Sequence, residues 1–301
     1  MSGLRKLAAE IAPLTTAGTI CVCGARRANK PTLSDQRARA AAAPGSAAGS
    51  GSISPAGPMS FLDECISFTG PIWQRYLHHP WIDGLFAGTL TTERFEYWLI
   101  QDLPYLGEEI SSVIYPKVPP HNPWRDLSKE YQRRAKTLGG VGARVELQML
   151  ERYDEFAVTR WAARPRREAF INFWTRTIYE GTFGDICCAL YVCNAFTKTF
   201  GDRYLRERPS NLTAFQIEWI EQWIDPFHES LRAALEDGIN EYGTNNTEYE
   251  CKKMKWIFLR STQHQIGTFD AAWNLSDPWP GEGEELGILA DSPSMRRLST
   301  T

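Results

Sequence analysis

No stretch of the 301-residue chain approaches the roughly 20 consecutive apolar residues that a membrane-spanning helix needs, so no membrane partner is expected. An excess of positive charge is also missing. A formal charge of -3 and a pI near 6.0 give no electrostatic footing for nucleic acid, and none is expected as a partner. Histidine is scarce: the five, at 78, 79, 121, 228 and 264, form no helical pair with a carboxylate at ligand spacing, so no metal is expected. Cysteine is present but without a disulfide pattern. The count of seven is odd, and two of them, Cys187 and Cys188, are adjacent, which suits a reducing compartment. Runs of β-alternation bounded by turn residues are absent as well.

Acidic residues are almost lacking from residues 1–58, which hold seven basic side chains against Glu10 and Asp35. From Ala40 to Pro58 the chain is nearly all Ala, Gly, Ser and Pro. Such a composition buries too little apolar surface to offset its ordering entropy, so an extension without a fold of its own is expected. The same composition fits an organellar transit peptide, and a start at Met59 is an equal reading. Localisation is accordingly cytoplasmic, or organellar if the extension is a transit peptide. Cys21-Val-Cys23 is too small a signal for a metal site. The tail 279–301 turns to Pro, Gly and Glu and is expected to be flexible.

Between these ends, residues 59–278 read as helices in one all-α domain. Apolar residues recur at helical spacing through 61–78, with a break at Gly70-Pro71. A helix from Thr92 to about Val113 carries a Pro104 kink, and further helices are expected at 124–137, 141–162, 166–179 and 182–200. Another begins near Ser210 or Asn211, and a last long one spans about 247–273. Asn211 and Asn245 open glycosylation-type triplets, which are read here as helix caps. The 164–167 cluster of arginines reads as a solvated turn.

Phe95–Tyr105 is the stretch in which chemistry is most concentrated. Phe95, Trp98, Leu99 and Leu103 mark one apolar face, and Asp102 falls beside it. A carboxylate there must be paired, bound to a ligand, or shifted in pKa, and an arginine from elsewhere in the bundle would satisfy it equally well. Tyr105 brings an aromatic face with a polar tip to the same region. Cys193 lies in the apolar run DICCALYVCNAF, where a core cysteine is the ordinary role and nothing local lowers its pKa.

HPWIDGLFAGTLTTERFEYWLIQDLPYL resembles the opening signature of the thiaminase II (TenA) family, which continues F-x-Y-x-x-x-Q-D-x-x-Y-L after a GTL. Gly88, Thr89, Leu90, Phe95, Tyr97, Gln101, Asp102, Tyr105 and Leu106 carry the match. A weaker likeness extends from about Phe61 to Trp273 and includes FLRSTQHQIGTFDAAW near the end. The resemblance implies a haem-oxygenase-like helical bundle, a homo-oligomer, and a small heterocyclic substrate such as an aminopyrimidine. It implies no cofactor. It assigns Asp102 as ring anchor, Cys193 as nucleophile and Tyr105 as positioning group, with Trp98, Phe170, Thr197 and Trp223 lining the substrate.

Two departures qualify that picture. Gln265, following His264, stands where the family has its catalytic glutamate, and an amide cannot exchange a proton at neutral pH. Proton handling then falls to His264 or Asp270. Phe170 and Thr197 replace tyrosines. Aminopyrimidine hydrolysis is the leading expectation. A cofactor-free oxidase or cyclase, resembling the pyrroloquinoline quinone synthase branch, and a non-catalytic ligand binder remain alternatives. The di-iron and haem branches fit less well, because Glu146 lacks a histidine one turn on and His78 and His79 come at the end of the first helical stretch.

Overall fold

Gly70 shows how closely the chain obeys its local signals. Its φ of 59° closes the first helix in a conformation that glycine adopts at little cost, and Pro71 opens the next at the first helical position. The computed structural model describes residues 59–102, 113–130 and 164–280. Among them are nine helices with defined limits: α1 (Phe61–Thr69), α2 (Pro71–Leu77), α3 (Pro80–Ala87), α4 (Thr92–Asp102), α5 (Pro165–Glu180), α6 (Phe183–Glu207), α7 (Ala214–Glu221), α8 (Pro226–Asn245) and α9 (Glu248–Asn274). Residues 124–130 are also helical, and no strand occurs among the described residues. No described helix is long and apolar enough to cross a membrane. The expected Pro104 kink and the helix at 141–162 lie outside the described residues.

Capping boxes fix four helix starts, at Ser60/Asp63, Thr182/Asp185, Thr213/Gln216 and Thr247/Glu250. Thr213 and Thr247 are the third residues of the two glycosylation-type triplets, so both triplets do mark caps. The α7 cap is Thr213, however, and not Ser210 or Asn211. Asn211 instead donates from Nδ2 to the Phe86 carbonyl at 3.4 Å, against the left-handed turn at Gly88.

The 25-residue α6 is the central element, packed most extensively against α8 and α9. Its pairing with α8 is antiparallel, and two glycines define the register. A Cβ on Gly184 would meet Tyr242 at 2.6 Å, and one on Gly238 would meet Cys187 Sγ at 2.6 Å. Three residues forward along α6 thus correspond to four back along α8. Gly238→Ala should therefore force the helices apart and lower stability by about 1–3 kcal/mol, measured by denaturant unfolding. A loss below a few tenths of a kcal/mol would show the contact to be slack.

A block of rings fills the opposite end. Trp81, Trp98, Trp219, Phe196 and Phe269 come from five different helices and all are buried. Trp98 stacks on Phe269 with centroids 5.4 Å apart, and Trp219 meets Trp98 edge to face at 5.6 Å. This block is the floor on which the end of α4 rests.

Candidate active site

Asp102, the last residue of α4, is buried beneath that block's edge. It is held by an arginine. Arg167 Nη1 donates to Asp102 Oδ1 at 3.0 Å, and Arg167 is only 1 % exposed. Its guanidinium also lies over Trp98, 5.5 Å from the ring centroid, where the aromatic face favours a cation. The arginine cluster is therefore not a solvated turn throughout. Arg166 remains half exposed and pairs with Asp277, whereas Arg167 faces inward because α5 starts at Pro165 and turns it toward α4.

Cys193 joins this pair from α6. Its side chain is only partly buried by area, yet burial is the main cause that pushes its thiol up to about 12. The Asp102 charge raises it further, while Arg167 and the side chain of Gln265 act in the opposite direction. Tyr76 of α2 completes the group. The same Asp102, Arg167 and Cys193 charges act on its hydroxyl, which burial holds well above the ordinary tyrosine range.

Two hydrogen bonds secure the turn carrying the thiol. Tyr76 Oη donates to the Val192 carbonyl at 3.0 Å, and Ser261 Oγ of α9 donates to the Ala189 carbonyl at 2.7 Å. Helices α2 and α9 thus both grip α6 in the turn that leads into Cys193. Gln265 lies one turn beyond Ser261 and is fully buried. Its Oε1 is 3.5 Å from Thr268 Oγ1, and its Nε2 completes no hydrogen bond among the described residues. The amide is close enough to Cys193 to favour the thiolate but does not reach a formed bond. A buried donor left in this state costs free energy until an acceptor arrives.

The other candidates sit around this group in differing degrees. Trp98 is one turn before Asp102, with its buried Nε1 making no hydrogen bond among the described residues. Phe170 is buried one turn after Arg167 and packs on Trp174 at 5.1 Å. Thr197 follows Cys193 by one turn, and its hydroxyl is spent on the Asn194 carbonyl at 2.9 Å. Trp223 lies between α7 and α8 against His228. Tyr105 lies outside the described residues.

His264 is adjacent to Gln265 in sequence but about 100° around the helix. Its ring stacks on Phe170 at 5.7 Å and tilts against Phe173 at 5.0 Å. Burial, with Arg260 nearby, lowers its pKa and favours the neutral ring. Asp270 is engaged elsewhere, accepting from His79 Nε2 at 3.2 Å and Arg75 at 3.4 Å. Neither is among the groups whose charges act on Cys193. Sequence reasoning missed Arg167 and Tyr76. The former was hidden in a basic cluster, the latter among apolar positions of α2.

The chain is similar to known proteins both in sequence and in fold. An aminopyrimidine aminohydrolase of Bacillus subtilis (strain 168) is 26% identical over 249 residues, covering 76% of this chain and 98% of that protein. One from Staphylococcus saprophyticus is 24% identical over 222 residues, covering 72% and 95%. Among solved structures, a TenA homologue from P. horikoshii OT3 superposes with a TM-score of 0.59 at 19% identity, over 72% of this chain and all of that one. A TenA family protein from Silicibacter sp. TM1040 gives 0.60 at 18%, over 71% and 97%. The bundle is thus of the helical haem-oxygenase-like kind expected. Residues 69–274, more than half of the chain, match the model of the TENA/THI-4/PQQC family, and the chain belongs to that family.

Proposed function

We propose that this chain hydrolyses an exocyclic amine from an aminopyrimidine, with Cys193 as nucleophile. The observation that carries the reading is one thiol inside the bundle beside a buried Asp102–Arg167 pair and a buried amide donor without a partner among the described residues. The relatives named as aminopyrimidine aminohydrolases support the same class of substrate.

Each group has a task that its surroundings allow. Asp102 accepts hydrogen bonds from the ring nitrogen and amino edge, and a charged acceptor makes these bonds the stronger kind. Arg167 fixes the carboxylate's orientation from behind. Trp98, Phe170 and Trp223 offer flat apolar surface for the ring. Gln265 Nε2 donates to an acceptor on the ring or to the sulfur as charge develops there.

The resting thiol, raised to about 12, is a poor nucleophile at neutral pH. Substrate supplies the correction. A protonated, amidine-like ring on Asp102 cancels the negative charge that holds the thiol proton in place. The Sγ–C bond then forms, the C–N bond breaks, and the thiol proton departs with the amine as ammonia. Water next delivers hydroxyl to the same carbon, the C–S bond breaks, and the sulfur recovers a proton. The sum is amine plus water giving hydroxypyrimidine plus ammonia.

Incubation with a panel of aminopyrimidines, followed by mass spectrometry, should give ammonia and hydroxypyrimidine in equal amounts. Absence of ammonia from every compound would end the hydrolytic reading. Gln265→Glu should lower kcat/KM by about 10- to 100-fold, because it exchanges a buried donor for a second carboxylate beside Asp102. A gain in rate would instead show that the amide had merely displaced a useful acid.

A further inference from the structure

Cleavage of a C–S bond returns an electron pair to sulfur, and the Asp102 charge opposes it there. Hydrogen-bond donors aimed at the sulfur offset that repulsion. Gln265 Nε2 is one such donor. A hydroxyl at the same place has no task in the proposed reaction. Tyr76 is fully buried on α2, and its Oη donates to the Val192 carbonyl at 3.0 Å. Val192 and Cys193 share a peptide bond, so that carbonyl oxygen lies about 2.8 Å from the Cys193 Cα. The phenol oxygen is therefore within about 6 Å of that Cα, whichever way the side chains turn.

Helix phase puts the phenol on the thiol's side of α6. The Tyr76 ring packs on Phe196 at 5.9 Å and on Phe269 at 6.2 Å. Phe196 follows Cys193 by three residues, about 60° around the helix. Cys193, Asp102 and Arg167 all act on the Tyr76 hydroxyl. The same two charged groups act on Cys193, Asp102 from α4 and Arg167 from α5, while α9 contributes the neutral Gln265.

Two properties suit this hydroxyl to serve the sulfur. Burial keeps it protonated well above the ordinary tyrosine range, so it acts as a donor and not as a base. The bond it makes at rest is also dispensable. Val192 lies inside α6, where its carbonyl accepts the helical N–H of Phe196 and stays satisfied when the hydroxyl turns away. The hydroxyl hydrogen turns about the C–O bond without moving the ring.

We propose that the Tyr76 hydroxyl is a second donor to the nucleophile, turning from the Val192 carbonyl to Cys193 Sγ as negative charge arrives there. The inference rests on the reading of Cys193 as nucleophile. The Tyr76 proton stays on oxygen throughout, so the balance of the reaction is unchanged. In the first half the thiol proton leaves with the amine. When the C–S bond later breaks, its electron pair is held on sulfur by Tyr76 Oη–H and Gln265 Nε2–H until a proton returns.

The test uses the full chain and reads the sulfur directly. Alkylation of Cys193 by iodoacetamide between about pH 7 and 9, followed by peptide mass spectrometry, measures the thiolate without any substrate. Tyr76→Phe keeps the ring and removes the donor, and should slow that alkylation about fivefold or more at every pH. Ser261→Ala removes a bond of the same kind from the same turn, to the Ala189 carbonyl, and should change the rate by less than about twofold. Equal slowing in both variants, or none in Tyr76→Phe, would overturn the assignment and leave Tyr76 as a prop for α6. With the aminopyrimidine that the wild type turns over fastest, Tyr76→Phe should lower kcat about tenfold and leave KM within about twofold, because the hydroxyl meets sulfur and not substrate. If Tyr76→Phe does not fold, a ring-fluorinated tyrosine at position 76 decides the matter. Its more acidic hydroxyl is the stronger donor and should speed alkylation about twofold, and an unchanged rate would overturn the proposal. If the wild type releases no ammonia from any compound, the hydrolytic reading falls by itself, while the alkylation rates still decide whether Tyr76 serves the sulfur. If ammonia is released and Tyr76→Phe alkylates like the wild type, the reading stands and this assignment alone is wrong.

Discussion

Arg167→Ala should lower the free energy of unfolding by about 3–5 kcal/mol, a large share of what a domain of this kind possesses. The size follows from burial and not from the ion pair as such. Arg167 and Asp102 have side chains 1% and 4% exposed, and the 3.0 Å contact supplies Asp102 with its cation. Truncating the arginine leaves the carboxylate inside the bundle without that cation, and also opens a gap over Trp98. Replacing both partners by apolar residues, as in Asp102→Leu with Arg167→Met, should restore most of the loss, since neither charge then has to be desolvated. Denaturant unfolding of the two singles and the double gives the coupling directly. A loss below 1 kcal/mol in Arg167→Ala would show that Asp102 does not depend on this arginine. Under the proposed function the double variant should nonetheless lack activity, because it removes the carboxylate assigned to hold the ring.

That pair also marks how far the sequence could be read. The position of Asp102 beside an apolar stripe is enough to say that it needs a partner, and an arginine from elsewhere in the bundle is one of the stated solutions. Which arginine cannot be read locally. Four residues, Arg164-Pro-Arg-Arg167, have the composition of a solvated turn, and only the phase of α5 relative to α4 separates the exposed Arg166 from the buried Arg167. Helix identity is far more legible than this. Capping boxes, the Gly70-Pro71 break and the 3.6-residue periodicity act within a few residues, so α1, α2, α5 and α9 fall close to where spacing puts them. Lengths are less so. Helix α6 runs on to Glu207, past the expected end at residue 200, because Gly201 packs under Ile224 and Tyr204 Oη donates to Glu221, contacts that exist only in three dimensions.

The same limit applies to the site. Cys193 and Gln265 are 72 positions apart, and nothing in either segment announces the other. The resemblance to a family brings them together on paper, and the tertiary structure adds what the resemblance could not, namely the sign of the environment. Ser261 and Tyr76 are ordinary residues by spacing, yet they bond two carbonyls of the turn that leads into the thiol. His264 shows the converse. It is the conspicuous residue beside Gln265, but one helical step turns it onto Phe170 and Phe173. Asp225-x-x-His228 is legible as a cap and silent about the ring nitrogen behind it, which has no partner among the described residues.

Cys193→Ala should abolish aminopyrimidine turnover, by about a thousandfold or more, while leaving the helical fold intact at neutral pH. The expectation is demanding because every cysteine in this part of α6 has an apolar reading, and Cys187 and Cys188 beside it are fully buried. A filler would tolerate alanine with only a small cavity penalty, and undiminished turnover would assign Cys193 to that role. Stability against pH supplies a second readout that does not depend on substrate. The folded chain holds the Cys193 proton to about 12, whereas the ordinary thiol value is 9.0. The unfolded chain therefore gives up that proton first, so the contribution is fully present below about pH 9 and is lost as pH rises toward 12. Wild type should lose stability across that window more steeply than Cys193→Ala. A residual slope should persist in the variant, since the Tyr76 hydroxyl is also held protonated by burial. Identical slopes would mean that the thiol is not enclosed as the structure has it. A flatter slope together with lost turnover would tie both effects to one sulfur. Under the proposed function it would also account for why the resting chain keeps the Cys193 thiol protonated, since release then waits for a substrate whose own positive charge offsets Asp102.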